Sequence, residues 1–400
     1  MHILFVGKVC PSKTANIIMK KTGENPGFQI IKFSRLLLDG FIHNQSRVSA
    51  LTNIITSTKA FDCSHTETDN HIHYHYLPYI KLPIIQQLLQ FIYSFFYTLL
   101  WCMRTKEEKI IMCDIFASSC SMGSVVAAQL MRTKKTMILT DMLTPPATIY
   151  QDTKKWWWKA FFKARVRSQE NGLKKYDGFI FLTKYMNTIY NPNRKPYIVM
   201  EGAVDNTFVP QKITKKSTPR VIMYAGAIEA EYGFDTLAKA FMSLQQDNIE
   251  LHVYGGGKFV KQLLEYQQLD SRIKYQGVVT NEEIIVAEQK ATLLVNPRYS
   301  TQEFVKYSFP SKTSEYMLSG TPVLTTRLAG IPDEYFQYLY TFDEETINGY
   351  ANKLNETLSL PDIILKNKGV KAQEFVLKNK NNVIQSQRIK EFFKTLITTH

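Results

Sequence analysis

At 400 residues, 44% of them hydrophobic and 21% charged, the chain is too long for one core and too apolar for a disordered polymer. Two domains of similar size are expected. The net charge of +14 lies wholly in the first half. Residues 1–200 hold 26 Lys and Arg against 12 Asp and Glu, and residues 201–400 hold 23 against 23. A basic half beside a neutral one points to one domain that faces an anionic partner.

Residues 1–7 form an apolar run too short for a signal peptide, and they read as a buried strand. Residues 7–16 are expected as a loop, 28–41 as a helix and 48–55 as a strand. His71, His73 and His75 alternate, so a strand there puts three imidazoles on one face. With no carboxylate or cysteine cluster to support a metal edge, a solvated face is the favoured reading. Residues 82–103 are the most apolar segment and match the ~20 residues that cross a bilayer. Gln86, Gln87, Gln90, Ser94 and Thr98 interrupt it. A helix feeding the strand Lys109–Asp114 is therefore favoured over a membrane span. All five cysteines fall in this half, odd in number and without CxxC spacing, which suits free thiols in a reducing cytosol.

A helix over 121–131 and a strand over 136–140 lead to Asp141, at a strand end of the kind where open α/β sheets bind ligands. Residues 154–167 then interleave six cations with five large aromatics. Lys154, Trp156, Trp157, Trp158, Lys159, Phe161, Phe162 and Lys163 open the run. On a helix, that mixture suits a lipid headgroup surface. No RNA-binding signature accompanies it to favour nucleic acid, and a core helix with a solvated basic face is the plainer alternative. The membrane surface is favoured.

Residues 206–220, with Pro210, Pro219 and Lys215-Lys216, read as a linker. A strand then ends at Gly226, and another ends in Gly255-Gly256-Gly257, a turn that lets backbone approach a ligand. The densest pattern follows. An apolar run stops at Asn296-Pro297, Phe309-Pro310-Ser311 introduces a helix, Gly320 ends it, and a second apolar run begins at Pro322. The helix N-terminus offers unpaired N–H groups and a positive dipole end, bracketed by Lys306 and Lys312. That suits a phosphate or diphosphate. Glu315, one turn on, is placed to accept from hydroxyls such as those of a ribose. An ordinary β-α-β unit with solvated lysines is the alternative. Since a lysine opposes the dipole at this end, removing Lys312 is expected to leave stability unchanged or slightly higher.

Phe309-Pro310-Ser311-Lys312-x-x-Glu315-Tyr316-Met317-x-x-Gly320-x-Pro322-Val323 resembles the donor-binding signature of GT-B glycosyltransferases of the family 4 type. The resemblance implies an α/β fold of two Rossmann-like domains facing across a cleft. It also implies a retaining reaction on a nucleotide sugar with no bound metal or other cofactor. In that family two glutamates separated by seven residues hold the ribose and the donor sugar. Glu315 matches the second; Tyr307 stands at the first, with Glu303 four residues earlier as a substitute. Relatives place an Arg after the glycine at Gly226 and a Lys six residues on, both toward the donor diphosphate. Here those places are Ala227 and Tyr232, which shifts the burden onto Lys306, Lys312 and the helix N-terminus. By the same resemblance Gly226, Gly255, Gly256, Val278 and Ser311 border the donor, with residues 277–281 offering backbone to the base. Asp141 stands where relatives often place a His-Asp pair, with helix capping an equal alternative.

These readings imply an acceptor and membrane-facing domain over 1–202, a linker over 203–220 and a nucleotide-sugar domain over 221–380. A last helix over 381–400 returns to the first domain. The expected reaction moves a sugar from a UDP-linked donor onto a lipid-linked or surface-polysaccharide acceptor. The expected location is the cytoplasmic face of an anionic membrane, with no nucleic acid as partner. No Asp-x-Asp triplet occurs, which disfavours the metal-dependent GT-A alternative. An inactive sugar-nucleotide-binding subunit is the main rival, and Ala227 and Tyr232 are its best argument. Sugar-nucleotide epimerisation is a third candidate, for which no acid/base residues can be picked out.

Overall fold

The computed structural model describes residues 1–22, 27–55, 61–115, 118–140, 171–210 and 218–398. The chain divides into two units, Met1–Ala203 with Asn382–His400, and Val204–Asn381.

The first unit is built around β1 (His2–Gly7), whose continuous apolar run is buried along its length. Its companions are β2 (Arg47–Thr52), β3 (Phe61–Asp62), β4 (His65–Asp69), β5 (Ile72–Tyr76), β6 (Tyr79–Ile80), β7 (Lys109–Asp114), β8 (Lys135–Leu139), β9 (Gly178–Phe181) and β10 (Tyr197–Val199). Eight of them form one sheet in the order β10-β9-β8-β7-β1-β2-β5-β4, parallel throughout except at the β4 edge; β3 and β6 pair separately. Strands buried on both faces read as unbroken apolar runs, which is why β1, β7 and β9 are legible in the sequence.

Helix Asn382–Thr398 belongs to this unit and packs on Phe28–His43. A Cβ on Gly40 would lie 2.2 Å from the Asn382 carbonyl, and the Phe41 and Phe393 rings stack at 5.9 Å. Helix Pro83–Arg104 packs on Ser118–Leu130 through small residues. Thr98 Oγ1 donates to Ser124 Oγ at 2.8 Å, and a Cβ on Gly123 would lie 2.2 Å from the Phe91 carbonyl. The outer face of the first helix exposes Ile84, Leu88, Ile92, Phe96 and Leu100 at a spacing of four, flanked by Ile85 and Met103. By length and composition this helix could cross a membrane. It also contributes buried Ser94, Thr98, Trp101 and Cys102 to the unit's packing.

Two expectations are corrected. Residues 7–16 are only partly loop, because a helix runs Ser12–Thr22. Pro11 lies at its entry, and its carbonyl accepts from the Ala15 N–H at 3.0 Å. The three histidines do not share a strand face. His71 lies at φ +62° in the turn before β5, which removes it from the alternation. His73 pairs with Thr68 at 3.0 Å, and His75 with the Tyr93 hydroxyl at 2.8 Å. Among the described residues no group of three or more His, Cys, Asp or Glu side chains could hold a metal ion.

The second unit is a six-stranded parallel sheet: β11 (Arg220–Ala225), β12 (Ile249–Tyr254), β13 (Ile273–Gly277), β14 (Leu293–Asn296), β15 (Val323–Thr325) and β16 (Tyr340–Thr341). The order is β13-β12-β11-β14-β15-β16. The chain thus winds outward from β11, returns to its other side at β14 and winds outward again. That is the doubly wound arrangement, with its switch point between β11 and β14. Its core sets Phe234, Leu237 and Phe241 of helix Phe234–Met242 against Ile222, Leu251 and Val295 of the sheet. The helix Asp362–Asn379, which the sequence pattern did not single out, is entered from Pro361 and carries a mixed rather than one-sided apolar pattern.

Candidate active site

Open parallel sheets bind ligands at the carboxyl ends of their strands, in the crevice at the switch point. In the second unit that crevice is bordered by the loops after β11 and β14. The β11 loop begins at Gly226 and folds onto the loop after β12. Ile228 N–H donates to the Gly256 carbonyl at 2.9 Å, and Gly226 N–H to the Tyr254 carbonyl at 3.0 Å. Gly255 has φ +126°, and a Cβ there would lie 1.9 Å from the Gly226 carbonyl, so only glycine serves. Gly256 has room for a side chain, its nearest neighbour being a Val278 methyl at 3.5 Å. Val278 itself is exposed just beyond β13. Glu229, in the β11 loop, accepts from the Lys258 N–H at 3.1 Å.

The β14 loop is tied back to the β11 loop. Gly233, at φ +77°, lies so close to the Pro297 carbonyl that a Cβ would approach it to 1.9 Å. Gln302 donates to the Glu231 carbonyl at 2.6 Å, and the Thr236 and Tyr299 hydroxyls meet at 2.6 Å. The same loop carries Glu303 and Lys306, both exposed, at the two ends of a short 3-10 turn, Glu303–Lys306.

Helix Ser311–Leu318 follows, entered from Pro310 with no side-chain cap, so its first-turn N–H groups are not taken up by a capping side chain. It is fixed at the end of β11 by Tyr316. The buried Tyr316 hydroxyl accepts from the Ala225 N–H at 2.8 Å and donates to the Ala225 carbonyl at 3.1 Å. Ser311 is exposed at the helix entry, and Lys312 and Glu315 are half-buried. These two form an ion pair at 2.9 Å. Burial works to lower the Lys312 pKa; the charge and hydrogen bond of Glu315, with buried Glu288 behind, outweigh it and hold the ammonium above its ordinary range.

The second unit thus gathers Gly226, Gly255, Gly256, Val278, Glu303, Lys306, Ser311, Lys312 and Glu315 on its strand-end loops and on the helix that Tyr316 anchors there. Asp141 and the run Lys154, Trp156, Trp157, Trp158, Lys159, Phe161, Phe162 and Lys163 lie outside the described residues. Sequence reasoning passed over Arg298. Its guanidinium lies 4.5 Å from the Tyr232 ring centre and 5.6 Å from that of Phe304. The available signal was position: Arg298 is the second residue after β14, at the switch point.

Residues 205–374 match the family model for glycosyl transferases group 1. No curated protein matches the chain by sequence. Among solved structures, the chain is similar to sucrose-phosphate synthase from Thermosynechococcus elongatus, with 14% identity, 100% of each chain covered and a TM-score of 0.66. It is similar to Anabaena HepE in complex with UDP, with 14% identity, 99% of this chain and 100% of the other covered and a TM-score of 0.65. A third such structure is trehalose-6-phosphate synthase OtsA, at 8% identity, 98% and 99% coverage and a TM-score of 0.65. These likenesses show the fold, and the family match falls on the unit whose switch-point loops have just been described. The second unit carries the glycosyl transferases group 1 match, and the chain has the two-domain GT-B fold.

Proposed function

We propose that the protein moves a sugar from a UDP-linked donor to a lipid-linked or surface-polysaccharide acceptor, with retention at the anomeric carbon and without a bound metal. The observation that carries this reading is the overlap of the family match with the switch-point loops and the uncapped helix at Ser311. The UDP complex of the similar HepE structure supports uracil as the base. The donor diphosphate meets the first-turn N–H groups, with Lys306 and Lys312 supplying charge. Glu315 takes the ribose hydroxyls and Glu303 the sugar. As the bond from C1 to the phosphate oxygen breaks, negative charge grows on the leaving diphosphate. Donors fixed there stabilise the transition state more than the ground state. The acceptor oxygen bonds to C1 on the same face, and its proton leaves with the phosphate oxygen, so no protein nucleophile is required.

We place the first unit at the cytoplasmic face of a membrane, as a peripheral partner of anionic lipid. Its support is the basic first half and the exposed stripe from Ile84 to Met103, a row of apolar side chains along one side of a long helix. The donor reading is tested by calorimetry with UDP, GDP and ADP, followed by turnover of a UDP-sugar panel with membrane lipid extract, with and without a chelator. Absence of nucleoside diphosphate binding overturns it. The second reading, a binding subunit for a partner transferase, draws on Ala227 and Tyr232 standing where relatives carry cations. UDP-sugar binding without turnover in any lipid fraction favours it.

A further inference from the structure

We infer that Arg298 is a donor-diphosphate ligand of this protein, reaching the site from the β14 loop across the Tyr232 ring. The inference rests on the donor reading above and adds to it a residue and a route.

Two absences in the sequence and one presence in the structure carry it. The β11 loop has Ala227 and Tyr232 where a diphosphate-binding loop of this kind would hold cations. The guanidinium of Arg298 lies over the ring of that same Tyr232, at 4.5 Å, with Phe304 on another side at 5.6 Å. The missing charge is thus supplied to the same loop from the neighbouring strand. Two rings at 6.4 Å from one another hold it there, and Thr326 Oγ1 donates to the Arg298 carbonyl to fix the backbone.

The arginine's own bonding points to a ligand. Among the described residues no carboxylate pairs with it, and its buried Nε has no hydrogen-bond partner. A guanidinium kept only for packing would be expected to turn its fork to a carbonyl or carboxylate, as Arg272 does with Asp270 and the Leu244 and Gln246 carbonyls. Burial works against the charge of Arg298, with Tyr232 and Tyr224 partly opposing it. An anion in the crevice would supply the acceptors and the countercharge together. A planar fork fits two phosphate oxygens at once, which a lysine cannot do.

The test compares UDP with uridine on the full chain. Arg298→Met keeps a long stem against the rings and removes the fork. UDP affinity by calorimetry is expected to fall ten- to a hundredfold, while uridine binding, followed by ligand-observed NMR, changes less than twofold. Arg298→Lys keeps the charge and recovers only part of the loss. Unchanged UDP affinity in a folded Arg298→Met protein overturns the inference, as do equal losses for UDP and uridine, which would mean a collapsed loop. If Arg298→Met fails to fold, Arg298→Lys decides: wild-type UDP affinity there excludes the fork. A wild-type chain that binds no nucleoside diphosphate sinks the donor reading itself, whereas wild-type binding that survives loss of Arg298 sinks only this inference.

Discussion

Replacing Lys312 by Ala sets two effects against each other. A lysine in the first turn opposes the helix dipole, so its removal gains about 0.3–1 kcal/mol. The structure adds the opposing effect. Lys312 pairs with Glu315 at 2.9 Å, with side chains 31% and 33% exposed, and it has buried Glu288 nearby. A solvated pair contributes about 0–1 kcal/mol, and stripping one partner from a buried pair costs about 3–5 kcal/mol. At this exposure, discounted for solvent, about 1.5–2 kcal/mol is reasonable, since two carboxylates lose their cation. The net effect is a destabilisation of about 1 kcal/mol, or roughly 2–4 °C in a unit of this size. That reverses the sign expected from the sequence. The pH dependence follows from the direction of the shift. A lysine whose folded pKa is raised contributes below its unfolded value, near 10.5, and loses that contribution as pH rises through the folded value. The difference between wild type and Lys312→Ala should hold steady from pH 7 to 9 and shrink above about pH 10.5. Thermal unfolding across that range is the assay. A Lys312→Ala midpoint at or above that of wild type at pH 8 would refute this reasoning: equal midpoints would mean that the pair only balances the dipole, and a higher one that the dipole alone decides.

Glu315→Gln keeps its shape and loses the charge on the hydroxyl contacts. With a charge-assisted hydrogen bond contributing roughly 1.5–3 kcal/mol, UDP affinity should fall about tenfold or more by calorimetry, and unchanged binding rejects the ribose role. Gly233→Ala forces a Cβ against the Pro297 carbonyl at a left-handed φ, so it should cost roughly 2 kcal/mol or more and weaken UDP binding by moving the loop that carries Arg298. Unfolding and titration of one sample measure both, and a fully stable variant contradicts the loop packing. Leu88→Glu with Phe96→Glu should abolish sedimentation with anionic vesicles while leaving UDP binding intact; undiminished vesicle binding removes the stripe from the membrane contact.

The sequence alone determined the elements whose signals are local. β1, β7 and β14 are apolar runs buried on both faces, and the Pro310-Ser311 entry with the Gly320 stop delimits a helix without reference to anything distant. The family signature sits on that helix, so Lys312, Glu315 and Ser311 could be named from a string of residues. What the string could not supply is pairing across the sheet. Lys312 and Glu315 are one helical turn apart, yet only packing decides that both are half-buried and that Glu288, 24 residues upstream of Lys312, joins them. His71 fell out of the histidine alternation because the turn into β5 takes a left-handed residue there, a choice made by the hairpin with β4. Arg298 and Tyr232 are far apart along the chain and adjacent only because β14 returns to the side of β11, and that strand order comes from the burial of whole faces rather than from any local motif.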